Sequence, residues 1–125
     1  MTEDDRSLLD RGLAAFRDAD MTETVVVLVT APSAEKAAEI ARAVVEEKLA
    51  ACGNVIPSIR SIYAWEGKVH DEPEALLILK APRKRFQDLC DRIVALHPYQ
   101  VPEVIGLPIE GGNERYIDWI IQTMY

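Results

Sequence analysis

Val25-Val26-Val27-Leu28-Val29 is an unbroken apolar run of mostly β-branched residues, and this composition predicts a strand that is buried on both faces. A second run, Ala75-Leu76-Leu77-Ile78-Leu79, predicts another strand of the same kind. Two strands that are apolar on both faces require cover on both sides of the sheet they share. They therefore decide how the rest of the chain is arranged.

Two helices are predicted between the strands. The first follows Ser33, a suitable N-cap, and carries an apolar stripe, with Gly53 just past its end: Ala37, Ile40, Ala41, Val44, Val45 and Leu49. The second begins after Pro82 and ends at Pro98, with Phe86, Leu89, Cys90, Ile93 and Leu96 at helical spacing.

A hairpin and a final strand complete the pattern. Ile59 to Trp65 alternates like a strand, Gly67 supplies the turn, and we interpret Lys68 to Glu72, including His70, as a solvated loop. Val104 to Ile109 predicts a fourth strand. After Gly111-Gly112, Asn113 is a suitable cap for a last helix through Tyr116, Ile117, Trp119 and Ile120.

The order β-α-β-β-α-β with an extra C-terminal helix predicts an α+β fold: the ferredoxin-like split β-α-β arrangement with an antiparallel sheet. Its second and fourth strands are edge strands, where Pro57 and Pro108 are tolerable. Two helices cover one face of such a sheet, so the other face needs a second cover. We expect further copies of the chain there; the alternative is that the terminal helix folds across it.

Composition limits the class of protein. With 125 residues, 14 basic and 21 acidic, the chain has a net charge of -7, unlike nucleic-acid or anionic-membrane binders. It has no apolar run of the roughly 20 residues that span a bilayer, so we expect a cytoplasmic protein with no membrane partner. Cys52 and Cys90 form no disulfide framework and are expected to be reduced.

The chain divides near residue 22. Residues 1–22 predict an acidic N-terminal arm that is disordered or forms one short helix, and residues 23–125 predict a single domain. Met21 stands directly before the first strand and could be the natural start.

His97-Pro98-Tyr99-Gln100-Val101-Pro102-Glu103 is the best candidate for a site. It places an imidazole, a phenol, an amide and a carboxylate between or beside two prolines, which restrict the backbone and favour preorganised ligand contact. The alternative is structural: Pro98 ends a helix, Pro102 precedes a strand and His97 caps helical carbonyls.

Several segments resemble the CutA divalent-cation tolerance proteins. They are Leu49-Ala50-Ala51-Cys52, Ser61-Ile62-Tyr63-Ala64-Trp65-Glu66-Gly67-Lys68, Leu77-Ile78-Leu79-Lys80, His97 to Glu103, and Leu107-Pro108-Ile109 with Tyr116 and Trp119. The resemblance covers roughly residues 23–121 in order.

The resemblance implies a ferredoxin-like homotrimer associated with tolerance of copper and other divalent metals, similar in architecture to the nitrogen-regulatory signalling proteins. Copper-binding members look as though they use a cysteine in the first strand and two adjacent histidines. Here those positions hold Val29 and Leu96-His97, so His97 is the one metal candidate that remains. The cofactor expected on this basis is copper or another divalent metal.

A second hypothesis is a ligand pocket. If Lys80, His97 and Glu103 converge, with Tyr99, Trp65 and Trp119 as walls, they form a mixed-charge site for a small anionic metabolite in a cleft between subunits. The alternative is a Lys80–Glu103 ion pair, with the aromatic residues in core or interface packing. We expect no enzyme, because catalytic motifs are absent and His97 near Glu103 has no recognisable nucleophile.

Overall fold

The computed structural model describes residues 23–124; the N-terminal arm and the start proposed at Met21 lie outside this range. The elements are β1 (Thr24–Ala31), α1 (Ala34–Glu46), β2 (Cys52–Trp65), β3 (Lys68–Pro82), a 3₁₀ turn (Arg83–Arg85), α2 (Phe86–Leu96), β4 (Val104–Pro108) and α3 (Glu114–Gln122). The order matches the predicted β-α-β-β-α-β with an added terminal helix. No helix among residues 23–124 has the length and apolar character needed to cross a membrane.

The four strands form one antiparallel sheet in the order β2-β3-β1-β4. As predicted, β2 and β4 are the edges and carry Pro57 and Pro108. The central strand β3 also contains two prolines, because it is longer than the predicted run Ala75 to Leu79. Pro82 is its last residue, and Pro73 lies in a part of β3 that extends beyond β1, where no second neighbour needs its amide.

Both long helices pack on one side of the sheet. The Ser33 side chain caps α1 by accepting a hydrogen bond from the Lys36 amide at 3.0 Å. Alternate residues of β1 and β3 are buried against apolar residues of α1 and α2; the shared core includes Val27, Val29, Leu77, Leu79, Ile40, Val44, Leu89 and Ile93. We call the opposite side of the sheet the open face.

The sequence suggested that Gly53 lies just past the end of α1, and this is wrong. The helix ends at Glu46, Lys48 takes the left-handed conformation with φ 60°, and Gly53 lies inside β2. A Cβ at Gly53 would stand 2.9 Å from Leu79 Cδ2 and 3.0 Å from Ala41 Cβ. The glycine is therefore required for the close approach of α1 to the sheet.

The hairpin is much longer than predicted. Lys68 to Glu72, interpreted as a loop, belongs to the first half of β3, whose residues 68–74 pair with Ile59 to Trp65. Glu66 and Gly67 form a two-residue turn with φ 51° and 79°, which matches a type I′ hairpin turn. The paired segments 59–65 and 68–74 have no further strand beside them, and we call them the hairpin extension. Their polar residues reflect exposure, because a strand without cover needs no apolar face.

The open face remains largely uncovered in one chain. Val26, Leu28 and Thr30 of β1 point to it, because their neighbours Val25, Val27 and Val29 face the helices. The paired residues Ile56 of β2 and Ile105 and Leu107 of β4 are 40–46% exposed. The helix α3 does not close this face: its buried residues Ile117 and Ile120 pack with Ala51, Ile109 and Met124 at one end of the sheet.

Candidate functional site

A cleft of about 510 Å³ lies between the hairpin extension and the segment Tyr99 to Glu103. Its walls include Tyr63 and Trp65 from β2, Glu74 from β3, Tyr99 and Glu103, and Thr30 at the end of β1. On β3, Glu74 is two residues from Leu76, so it lies on the same side of the sheet as Leu76 and the open face. The cleft is therefore continuous with the margin of the open face.

Local sequence explains why Tyr99 enters this cleft. The helix α2 ends at Leu96, and Pro98 cannot continue it because a proline has no amide hydrogen to donate. The chain then turns, and the Tyr99 hydroxyl donates a hydrogen bond to Glu74 Oε2 at 2.7 Å. Burial and this contact with Glu74 raise the pKa of Tyr99 well above its usual value. The phenol is therefore a protonated donor at neutral pH.

His97 lies beneath the cleft and supports Tyr99. It is 8% exposed, and its Nδ1 accepts the Tyr99 amide hydrogen at 3.1 Å. With Nδ1 as the acceptor, Nε2 carries the hydrogen and donates to the Thr30 carbonyl at 2.7 Å. The rings of His97 and Tyr99 also pack at a centroid distance of 4.6 Å. Both ring nitrogens are thus occupied by backbone groups of residues that line the cleft.

A second tyrosine contributes a similar arrangement on the hairpin extension. The Tyr63 hydroxyl donates to Glu72 Oε1 at 3.1 Å, and its ring stacks on His70 at 5.1 Å. Desolvation first, and Glu72 second, raise the pKa of Tyr63. Across the same hairpin, Arg60 holds Asp71 through two hydrogen bonds of 2.9 and 2.8 Å, which lower the pKa of that carboxyl.

The structure brings together only part of the predicted ligand set. Trp65, Tyr99 and Glu103 line the cleft and His97 supports it, but Lys80 and Trp119 lie elsewhere. In the sheet, Lys80 pairs with Val26 and Val104 pairs with Val29. Lys80 and Val104, the residue after Glu103, are therefore separated by roughly 10 Å along the strand direction. The Lys80 ammonium instead donates to Asn54 Oδ1. Within one chain, Lys80 and Glu103 therefore neither form an ion pair nor line the same cleft.

Trp119 belongs to the other end of the open face. Its ring lies 5.5 Å from that of Tyr116, whose hydroxyl oxygen is 3.5 Å from Cys52 Sγ. Since Cys52 pairs with Lys80, these residues share the end of the sheet that α3 covers. The aromatic residues predicted as walls of one pocket are thus divided between two ends of the molecule.

Several residues of the cleft were not singled out from the sequence. Thr30, Tyr63 and Glu74, which the structure places in its walls, were assigned no role in ligand binding. Glu72, Glu74 and Leu76 are spaced two residues apart, so they lie on the same side of β3. This spacing indicates that the side of β3 belonging to the open face changes from apolar to acidic. That signal is readable only once the register of the long hairpin is known.

Two of the three positions that the resemblance assigns to metal ligands are apolar here. Val29 is fully buried in the core, and Leu96 is partly buried and packs against the core. Within residues 23–124 no three His, Cys, Asp or Glu side chains are grouped so that they could hold a metal ion. Cys52 and Cys90 are free thiols.

Comparison with known proteins gives consistent results. A family model described as CutA1 divalent ion tolerance protein matches residues 25–123. The Divalent-cation tolerance protein CutA of Thermus thermophilus is 52% identical over 95 residues, which cover 76% of this chain and 92% of that protein. Protein CutA, chloroplastic, of Arabidopsis thaliana is 46% identical over 97 residues, or 78% of this chain but only 53% of the relative.

A solved structure agrees with the fold. The crystal structure of CutA1 from Oryza sativa superposes with a TM-score of 0.79 at 43% identity, and the match covers 83% of this chain and 95% of that one.

Proposed function

Because the chain belongs to the CutA divalent-cation tolerance family, we propose that it is a homotrimeric, non-catalytic binding protein that acts in the divalent-cation response through a ligand held in the cleft. The observation that carries this proposal is the cleft itself. Aromatic walls and two carboxylates meet in one concavity of a size typical of small-molecule sites. Its supporting residue, His97, is buried and fixed.

The proposed trimer explains the uncovered half of the sheet. Apolar side chains at Ile56, Ile105 and Leu107 are 40–46% exposed in one chain, and contiguous apolar surface of this kind usually marks an interface. Copies of the same chain are the simplest cover, since most soluble oligomers are symmetric homo-oligomers. The cleft opens at the margin of this face, so a partner subunit would stand beside the ligand.

A regulatory role is favoured over catalysis by the chemistry of the cleft. Its polar side chains carry hydroxyls, carboxylates and the Gln100 amide, and the Tyr99 hydroxyl donates its hydrogen to Glu74. The imidazole of His97 has no free nitrogen to act as a general base. Binding without reaction fits these residues best.

Copper or another divalent metal centred on His97 is a second candidate, favoured by the name of the family. It has to compete with the two hydrogen bonds of the ring. A metal ion would need one of these nitrogens, and releasing it would leave the Thr30 carbonyl or the Tyr99 amide without a partner.

The proposed function can be tested by expressing the protein in a bacterial host that lacks its own CutA protein and measuring the copper tolerance of that host. We expect the wild-type protein to raise the copper concentration that halves growth, and the double variant Glu74→Gln/Glu103→Gln to lose this gain because it removes both carboxylates of the cleft. A matched control, Glu46→Gln/Glu110→Gln, removes two exposed carboxylates outside the cleft. It should protect like the wild type.

Protein level and melting temperature would be recorded for all three proteins. Full protection by a folded Glu74→Gln/Glu103→Gln variant would show that tolerance does not depend on the cleft.

A further inference from the structure

We propose that the ligand of the cleft is a small organic cation, an ammonium group on a short apolar body. This inference rests on the proposed function, because it names the chemical class taken by the same cleft. It follows from the charge of the lining, from the exposed aromatic faces and from the shortage of metal donors.

The charge of the cleft is negative. Glu74 and Glu103 belong to the lining, and Glu72 lies next to it on the hairpin extension through its contact with Tyr63. Among the described residues that form the walls there is no Lys, Arg or His. Carboxylates in a concave surface concentrate field lines and attract cations, and the net charge of -7 acts in the same direction. An anionic metabolite would meet repulsion here without the compensating charge once expected from Lys80.

The aromatic walls match the organic part of such a cation. Trp65 is 44% and Tyr63 40% exposed, although both are large and line the cleft. One face of the Tyr63 ring is stacked on His70, so the other face remains for contact. Ammonium groups are attracted to the faces of Trp and Tyr within about 6 Å, most strongly to Trp. Aromatic faces beside carboxylates therefore favour an alkylated ammonium over a strongly hydrated ion.

A bare metal ion fits this cleft less well. Zn²⁺ usually takes about four protein or water donors and Ca²⁺ about six to eight oxygens, whereas the cleft lining contributes two carboxylates. One of these, Glu74, already accepts the Tyr99 hydroxyl hydrogen, and that phenol stays protonated because its pKa is raised. The other oxygen donors of the lining are neutral hydroxyl and amide groups, on Thr30, Ser61, Gln100 and the two tyrosines, and within residues 23–124 no third His, Cys, Asp or Glu is grouped with the two carboxylates to hold a metal. This set of donors is therefore poor for a metal ion. It is suitable for an organic cation that contacts the aromatic rings and the carboxylates without being coordinated.

A matched pair of probes separates charge from shape. Choline chloride and 3,3-dimethyl-1-butanol have nearly the same shape, and only choline carries the positive charge. Each would be titrated into the assembled protein at low salt by calorimetry, with Trp fluorescence as a second signal. We expect saturable choline binding. The neutral alcohol should bind at least about tenfold more weakly, since the positive charge contributes to both the ring and the carboxylate contacts.

Three variants locate the binding. Glu103→Gln removes a charge and Trp65→Leu removes a ring, both at exposed positions of the cleft that should not affect folding. Each should weaken choline binding by about tenfold or more. Glu110→Gln removes an exposed carboxylate outside the cleft and should leave the affinity unchanged.

Two results would overturn the inference and leave the cleft as a ligand site. One is equal binding of the alcohol and choline, each reduced by Trp65→Leu. The other is binding of zinc chloride or copper sulfate that depends on Glu103 while choline does not bind. If none of the probes binds in a way that either cleft variant changes, both this inference and the proposed site fail.

Discussion

At the scale of the residue, His97 has two competing interpretations, as a metal ligand and as a structural residue that supports the cleft. A metal ligand needs a free nitrogen, and both nitrogens of this ring are hydrogen-bonded to the backbone at 2.7 and 3.1 Å. The imidazole joins the end of β1 to the start of the Tyr99 to Glu103 segment. Its role in the structure is to hold these two walls of the cleft together.

The variants His97→Ala and His97→Gln distinguish these roles. If His97 is structural, the alanine variant should lose about 1–3 kcal/mol of unfolding free energy, because two buried backbone groups lose their partners. Glutamine keeps an amide donor that can reach the Thr30 carbonyl, so it should lose less. Urea unfolding would measure both losses.

Copper and zinc titrations of the same reduced proteins complete the test. The structural role predicts no metal binding that depends on His97. Saturable binding by the wild type that is absent from both variants would establish a His97 metal site instead.

The sequence identified several residues of the site but not how they are grouped. His97, Tyr99 and Glu103 lie within seven residues of the chain, between or beside two prolines, so local chemistry was enough to select them. Glu74 and Thr30 come from separate strands, so local sequence could not group them with Tyr99. Lys80 was included because its distance from Glu103 depends on strand register, which the sequence alone does not show. Register is a tertiary property, and it put Lys80 and Trp119 at the other end of the sheet.

At the scale of the element, the strands and helices follow from local patterns, and their lengths depend on packing. Helical periodicity predicted α1 and α2, and unbroken apolar runs predicted the central strands, which share a core with those helices. The second strand of the hairpin extension was missed because the charged residues between Lys68 and Glu72 suggest a loop. It is held as a strand pair by the Glu66-Gly67 turn and by cross-strand contacts such as Arg60 with Asp71.

Gly53 gives a prediction at this scale. Replacing it with alanine should cost about 1–3 kcal/mol, because the added methyl group would press on Leu79 and Ala41 between α1 and the sheet. Gly111→Ala is the matched control, since no atom lies within 4 Å of a Cβ placed there. Urea unfolding of the two variants would check this. Equal stabilities would show that α1 can move away from the sheet at little cost.

At the scale of the whole molecule, the fold has one completed core and one exposed sheet face. The helices α1 and α2 cover the first side, and α3 closes one end of the second without covering Ile105 or Leu107. The proposed trimer would cover this face and place a neighbouring subunit at the margin of the cleft. Ligand binding and assembly would then be coupled, because both use the same edge of the sheet.

Ile105 is the best position at which to test this face. It is 46% exposed in one chain, so an aspartate there should be tolerated in a monomer but would be buried in an interface that covers the open face. Val94 on α2 is 48% exposed on the helical side and supplies a matched control. Val94→Asp should leave assembly unchanged.

The most direct test of the proposed assembly is the mass of the wild type, Ile105→Asp and Val94→Asp by sedimentation equilibrium. The wild type and Val94→Asp should have a mass of about 42 kDa, three times the chain mass of 14.0 kDa, and Ile105→Asp should fall toward a single chain. A wild type of 14.0 kDa, or an Ile105→Asp variant that keeps the full mass, would contradict the open face as the subunit interface.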